Sequence, residues 1–140
     1  MGWLEDQTLV DTAFHSSCTS RTDVVWNLES IDGVFGMAIC YERTEDGGYC
    51  DQYDIYLNSG LIVDADHPSS QRRKTACHEL GHTAGVRHYA NESYPGADTS
   101  HSCLRSGPVP TADQAWHTRF GPHHRLYHIN PHFAGTPIPV

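Results

Sequence analysis

Three histidines and a glutamate stand at fixed offsets near the middle of the chain, inside Thr75-Ala-Cys-His-Glu-Leu-Gly-His-Thr-Ala-Gly-Val-Arg-His-Tyr89. His78 and His82 are four apart, so on a helix they share a face, with about 6 Å between their side-chain bases. Such a pair can grip one metal ion from adjacent turns. Glu79 lies one step round, able to reach a metal-bound water without being a ligand. Gly85 suits the left-handed position that ends many helices. A chain that turns back there can bring His88 to the same ion. Three neutral nitrogens with an open fourth position make the catalytic form of a zinc site, whereas a structural site is closed.

The plain alternative is a helix whose histidines are only polar surface, in a chain with 11 of them. The glycine and third histidine at their offsets weigh against that, and Glu79 beside a ligand weighs against a closed structural site. The pattern His78-Glu79-x-x-His82-x-x-Gly85-x-x-His88 resembles the zinc-binding consensus of the metzincin metallopeptidases. The likeness is nearest to small, secreted, matrixin-like bacterial peptidases. It implies one catalytic Zn2+ held by His78, His82 and His88, a polypeptide substrate, and Glu79 as general base for the attacking water. The second function reading is a zinc-binding, non-catalytic binding or toxin-like module on the same fold.

In that family a tight turn beyond the third histidine places a methionine beneath the metal. Ser102-Cys-Leu-Arg-Ser-Gly107 stands where the turn should be, with Leu104 in the methionine position; the only methionines are Met1 and Met37. Leucine has a similar volume, so the exchange is expected to cost under ~1.5 kcal/mol. Cys77 precedes the first ligand and Cys103 falls inside the expected turn, so the resemblance implies a bond between them. Five cysteines leave other pairings open. Cys18 is left over, as a free thiol or the partner of a residue upstream, and its surroundings do not match a latency-conferring pro-segment.

The elements that must carry these groups can be read from local pattern. Val24–Leu28 and Val34–Tyr41 read as strands, separated by a turn at Ile31-Asp-Gly33. Asp51–Asn58 alternates polar residues with Tyr53, Ile55 and Leu57, as a half-buried antiparallel strand does. Its stretch Gln52–Asn58 is the expected edge to which an extended substrate would add. Cys40 and Cys50 flank the intervening polar connection, which makes a hairpin disulfide the natural pairing. The acidic residues there (Glu42, Glu45, Asp46, Asp51, Asp54) could hold calcium, but no calcium-loop spacing supports it.

Leu61–Val63 reads as a brief strand or the approach to a helix. Pro68-Ser-Ser70 supplies a helix start, so the metal-binding helix is predicted over Ser70–Ala84 with Ala76, Leu80, Thr83 and Ala84 facing the core. Tyr89–Thr99 is a loop by composition, with a glycosylation-type Asn91-Glu-Ser93. A helical turn is expected at Thr111–His117, and a C-terminal helix at Pro122–Asn130 stopped by Pro131. His124, His128 and His132 are expected to be polar surface, a second metal site being the minor reading. The predicted fold class is α+β: a small twisted, mainly antiparallel sheet packed on the metal-binding helix and a C-terminal helix.

At 140 residues the chain is expected to be one domain, 1–140, with 1–23 as a peripheral segment. A net charge of −8 argues against nucleic acid and anionic membranes as partners. No apolar run approaches the ~20 residues of a transmembrane helix. A monomer is expected. Five cysteines in so short a chain point to an oxidising compartment, while Met1-Gly-Trp-Leu-Glu-Asp-Gln lacks the regions of a signal peptide. The expectation is a secreted protein whose leader is absent from this chain, with a phage-encoded protein released by lysis as the second choice.

Overall fold

The computed structural model describes residues 2–45, 47, 49–88, 102–112 and 114–134. The Tyr89–Thr99 loop, including Asn91, lies outside them. A four-residue helix α1 (Gly2–Glu5) opens the chain and three strands follow: β1 (Val24–Glu29), β2 (Gly36–Arg43) and β3 (Cys50–Asn58). Helix α2 (Ser59–Val63) leads into α3 (Pro68–Thr83), and a 3-10 turn (Ala115–Thr118) follows. The chain closes with α4 (Pro122–His124), a π turn (Arg125–Ile129) and α5 (Asn130–Phe133).

The three strands lie within two residues of their predicted limits, but their arrangement differs from the expectation. The sheet order is β1-β3-β2, with β1 parallel and β2 antiparallel to β3. The sheet is therefore mixed, where a mainly antiparallel one was expected. Since β3 is paired on both sides, Gln52–Asn58 cannot accept a further strand. The edges belong to β1 and β2, and the β2–β3 ladder carries an irregularity between Cys40 and Glu42. The Cys40–Cys50 disulfide joins those two strands as predicted, with Cα atoms 5.7 Å apart.

Leu61–Val63 is helical because Asn58 caps it: its Oδ1 accepts the Leu61 N–H at 3.1 Å. The Asn58 amide also donates to the Val34 and Ile31 carbonyls, fixing the β1–β2 turn over the end of β3. Helix α3 starts two residues earlier than predicted, and no serine caps it. Pro68 occupies the first turn, where its missing N–H is not needed and its φ already suits a helix. Proline 131 does not end the last helix. A π turn sits immediately before it, the kind of local widening that accommodates the ring without a break.

The core lies between one face of the sheet and α3. Ile55 and Leu57 meet Cys77 and Leu80, with Cys103, Leu104, Phe120 and Ile129 completing it. The 3-10 turn packs on α3, while the C-terminal run reaches the core through Ile129 and Phe133. In the N-terminal segment Leu4 is buried and Val10 packs on the core, but Leu9 and Phe14 are exposed. This segment docks on the opposite end of the chain. Gln7 donates to the Thr118 carbonyl at 2.7 Å and accepts the Phe120 N–H at 3.1 Å.

The buried side of α3 is not the predicted stripe. Ala76, Thr83 and Ala84 are only half-buried, whereas Ser70, Gln71, Lys74, Thr75, His78 and Glu79 are buried with Cys77, Leu80 and Gly81. Buried polar groups need partners to offset desolvation. Gln71 accepts the Val109 N–H at 2.8 Å and donates to Thr75 Oγ1 at 3.1 Å, and Lys74 Nζ donates to the Gly107 carbonyl at 3.2 Å. Helix α3 is thus tied to the 102–109 segment by polar side chains that sequence patterning treats as surface.

Candidate metal centre

The end of α3 is built by local rules. Gly85 adopts φ +78°, and the Gly85 and Val86 N–H groups return to the His82 and Gly81 carbonyls, both at 3.0 Å. That pair of bonds is the Schellman stop, which requires the left-handed residue glycine supplies. The same turn orients a ligand-type side chain. Val86, just past the glycine, offers its carbonyl to His82 Nδ1 at 2.7 Å.

His78 is held from below. Its Nδ1 lies 2.9 Å from the Cys103 carbonyl. That carbonyl is fixed in turn, because Cys103 is bonded to Cys77 on α3, with Cα atoms 5.9 Å apart. The Cys103 N–H donates to the Arg119 carbonyl at 2.7 Å, and Ser102 Oγ accepts the N–H groups of Leu104 and Gly121 at 3.3 and 3.1 Å. Leu104, 1% exposed, presses with Phe120 on α3 at Gly81. The expected Cys77–Cys103 bond is present, and Leu104 is buried in the core against α3.

With Nδ1 committed to a carbonyl in both residues, the neutral tautomer carries its proton there and leaves Nε2 as a free lone pair. The Nε2 atoms converge. His88 Nε2 stands 2.7 Å from that of His78 and 3.1 Å from that of His82, and the ligand atoms of all three lie within 4.8 Å of one another. Two zinc–nitrogen bonds at a tetrahedral angle separate their nitrogens by about 3.4 Å. The donor set therefore fits one metal ion, and among the described residues it holds three side chains and no fourth.

Comparison with protein-family models, curated proteins and solved structures finds no match to this chain.

The electrostatics suit cation binding. Burial, and then the nearby Lys74 ammonium, push His78 down to about 3 from its ordinary 6.5, so its imidazole is neutral near pH 7. Burial also lowers His82. Glu79, 5% exposed, moves the other way. Burial raises it to about 7, opposed by Lys74 and by the Ala38 N–H of β2, which donates to its carboxylate. A carboxyl poised there can take a proton and return it near neutral pH.

Among the described residues, the remaining candidates do not form a site. His124 is buried, not surface as expected, and its ring lies 5.4 Å from that of exposed His128; the His132 side chain lies outside the described part. No other group of three metal-ligand side chains converges among the described residues, the hairpin carboxylates included. Asp46 lies outside them. Cys18 is exposed and unbonded to another cysteine. Two disulfides are typical of chains that mature in an oxidising compartment. Among the described residues, no helix is long and apolar enough to cross a membrane. Sequence reasoning missed Gln71, Lys74 and Ser102, each of which has a partner distant in the chain: Val109, Gly107 and Gly121.

Proposed function

We propose that this chain is a zinc-dependent endopeptidase of metzincin type. The observation that carries the reading is the convergence of three Nε2 atoms, two of them with their opposite ring nitrogens on backbone carbonyls, beside a buried carboxyl raised to about 7. His78, His82 and His88 would hold the ion. When bound, zinc lowers the pKa of a coordinated water to about 7 and polarises a substrate carbonyl. Glu79 takes the proton from the attacking water and passes it to the leaving amine. Burial keeps two of the three imidazoles neutral, and their Nδ1 contacts to Cys103 and Val86 keep them aimed, so little reorganisation is needed on binding. An extended polypeptide would add to the free edge of β2, the edge strand whose Ala38 amide already faces Glu79.

The experiment is Glu79→Gln, with metal content and cleavage of a mixed peptide library measured side by side. The parent should bind one zinc and cleave until chelated. The variant should keep the zinc while cleavage falls about 10²–10⁴-fold. Undiminished cleavage would overturn the role of Glu79. A zinc-loaded parent that cleaves nothing would leave the non-catalytic binding module as the better reading.

A further inference from the structure

We propose that Gly36, at the head of β2, is a positioning residue for Glu79: its missing side chain is what lets the glutamate stand where it does. The inference rests on the reading of Glu79 as general base. A Cβ built on Gly36 would fall 2.9 Å from Glu79 Cγ, 2.9 Å from its Oε1 and 2.6 Å from Thr75 Cγ2. Real Cβ atoms essentially never approach this closely, so something would have to move. Backbone conformation does not call for glycine here, since Gly36 is not among the residues with positive φ. Glycine in a strand is a weak choice unless another group must come close.

What would move is decided by the surroundings. Thr75 is buried, and its hydroxyl is held by Gln71, whose own carbonyl oxygen accepts the Val109 N–H. The strand is held by its ladder with β3 and, two residues on, by the Ala38 amide at the Glu79 carboxylate. The unbranched glutamate has the most freedom, so a methyl at position 36 displaces Glu79 from Ala38. Misplacement of a catalytic group by about 1 Å can cost up to about 10²-fold in rate. In this scheme Gly36 supplies neither a metal ligand nor a proton and acts on the chemistry through Glu79.

The test compares Gly36→Ala, Gly36→Ala/Thr75→Ser and Glu79→Gln, reading kcat, KM, zinc content and melting temperature. Gly36→Ala should lower kcat roughly ten- to a hundredfold with KM within about twofold and one zinc retained. Removing the Thr75 methyl, the nearest obstruction, should restore part of kcat. It also gives a measurable variant should the single one not fold. If Glu79→Gln is silenced and Gly36→Ala keeps kcat within about twofold, the positioning role is overturned and the general base stands. Loss of zinc together with activity in Gly36→Ala, unrelieved by Thr75→Ser, overturns it in favour of a structural role. Full activity in Glu79→Gln removes the reading on which it rests.

Discussion

The two faces of the sheet differ in how they treat polar and apolar side chains. On the α3 side a run of polar and charged groups is buried: Ser70, Gln71, Lys74, Thr75, His78 and Glu79, with Ser102 beneath. On the opposite face and along the β1 edge, Leu28, Met37, Ile39 and Tyr41 are exposed. Apolar side chains at the surface cost little individually. Burying polar groups costs more, and is tolerated where each finds a partner. Here the partners sit on backbone far away in sequence, such as the carbonyls of Cys103 and Gly107 and the amide of Val109. The buried polar groups on the α3 side are therefore held in a fixed geometry, which is what a metal site needs before the ion arrives.

Leu104 gives the sharpest break between the two regions. Leu104→Ala should destabilise the protein by about 2–5 kcal/mol, because the residue is fully enclosed and leaves a cavity against α3. Ile39→Ala on the open face should stay within about 1 kcal/mol. Chemical denaturation of both variants checks this, and equal losses would remove the distinction. Leu104→Met, which restores the side chain the resemblance leads one to expect, should shift stability by under ~1.5 kcal/mol and leave metal affinity in place.

The disulfides separate the regions by function more than by stability. Loop entropy alone assigns about 3.5 kcal/mol to Cys77–Cys103, spanning 26 residues, and about 2.7 kcal/mol to Cys40–Cys50, spanning 10. Thermal unfolding of the two double-serine variants should thus differ modestly. Zinc titration should differ sharply. Only the Cys77–Cys103 bond fixes the carbonyl that orients His78, so only its loss should weaken metal binding. Equal zinc affinity in both variants would show that the Cys103 carbonyl is held well enough by Ser102 and Arg119.

The convergence of His78, His82 and His88 was legible in the sequence because helix periodicity and a glycine stop are local facts, and neither depends on the rest of the fold. The strands were legible for the same reason, and Cys40–Cys50 followed from them. Strand order was not. β1 pairs with β3, skipping β2 in the sequence, and a two-residue alternation is the same in a central strand and an edge strand. The buried face of α3 was missed because Gln71 and Lys74 read as solvent-facing until the 102–109 segment supplies their partners. Asn58 hid a helix start in what read as a strand end, since its amide and carbonyl act on residues before and after it at once.

The smallest expected effect separates the histidines from the glutamate within the site itself. In the metal-free protein His78 is depressed to about 3 and His82 is also lowered. Between about pH 3 and 6.5 the unfolded chain therefore binds more protons at these groups. Their contribution to stability is complete above 6.5 and is lost as pH falls. Glu79, raised to about 7 from 4.5, works in the opposite sense. Between those values the folded state holds the extra proton, so stability is lost as pH rises. The slopes oppose one another from pH 4.5 to 6.5 and partly cancel. Glu79→Gln removes the opposing one, so urea unfolding in the presence of chelator should show a steeper rise of stability with pH across that window. The increase should be at most about 1.4 kcal/mol per pH unit, the value for one proton. An unchanged slope would mean that the carboxyl is not held protonated against α3, and would weaken the case that burial poises it for proton transfer.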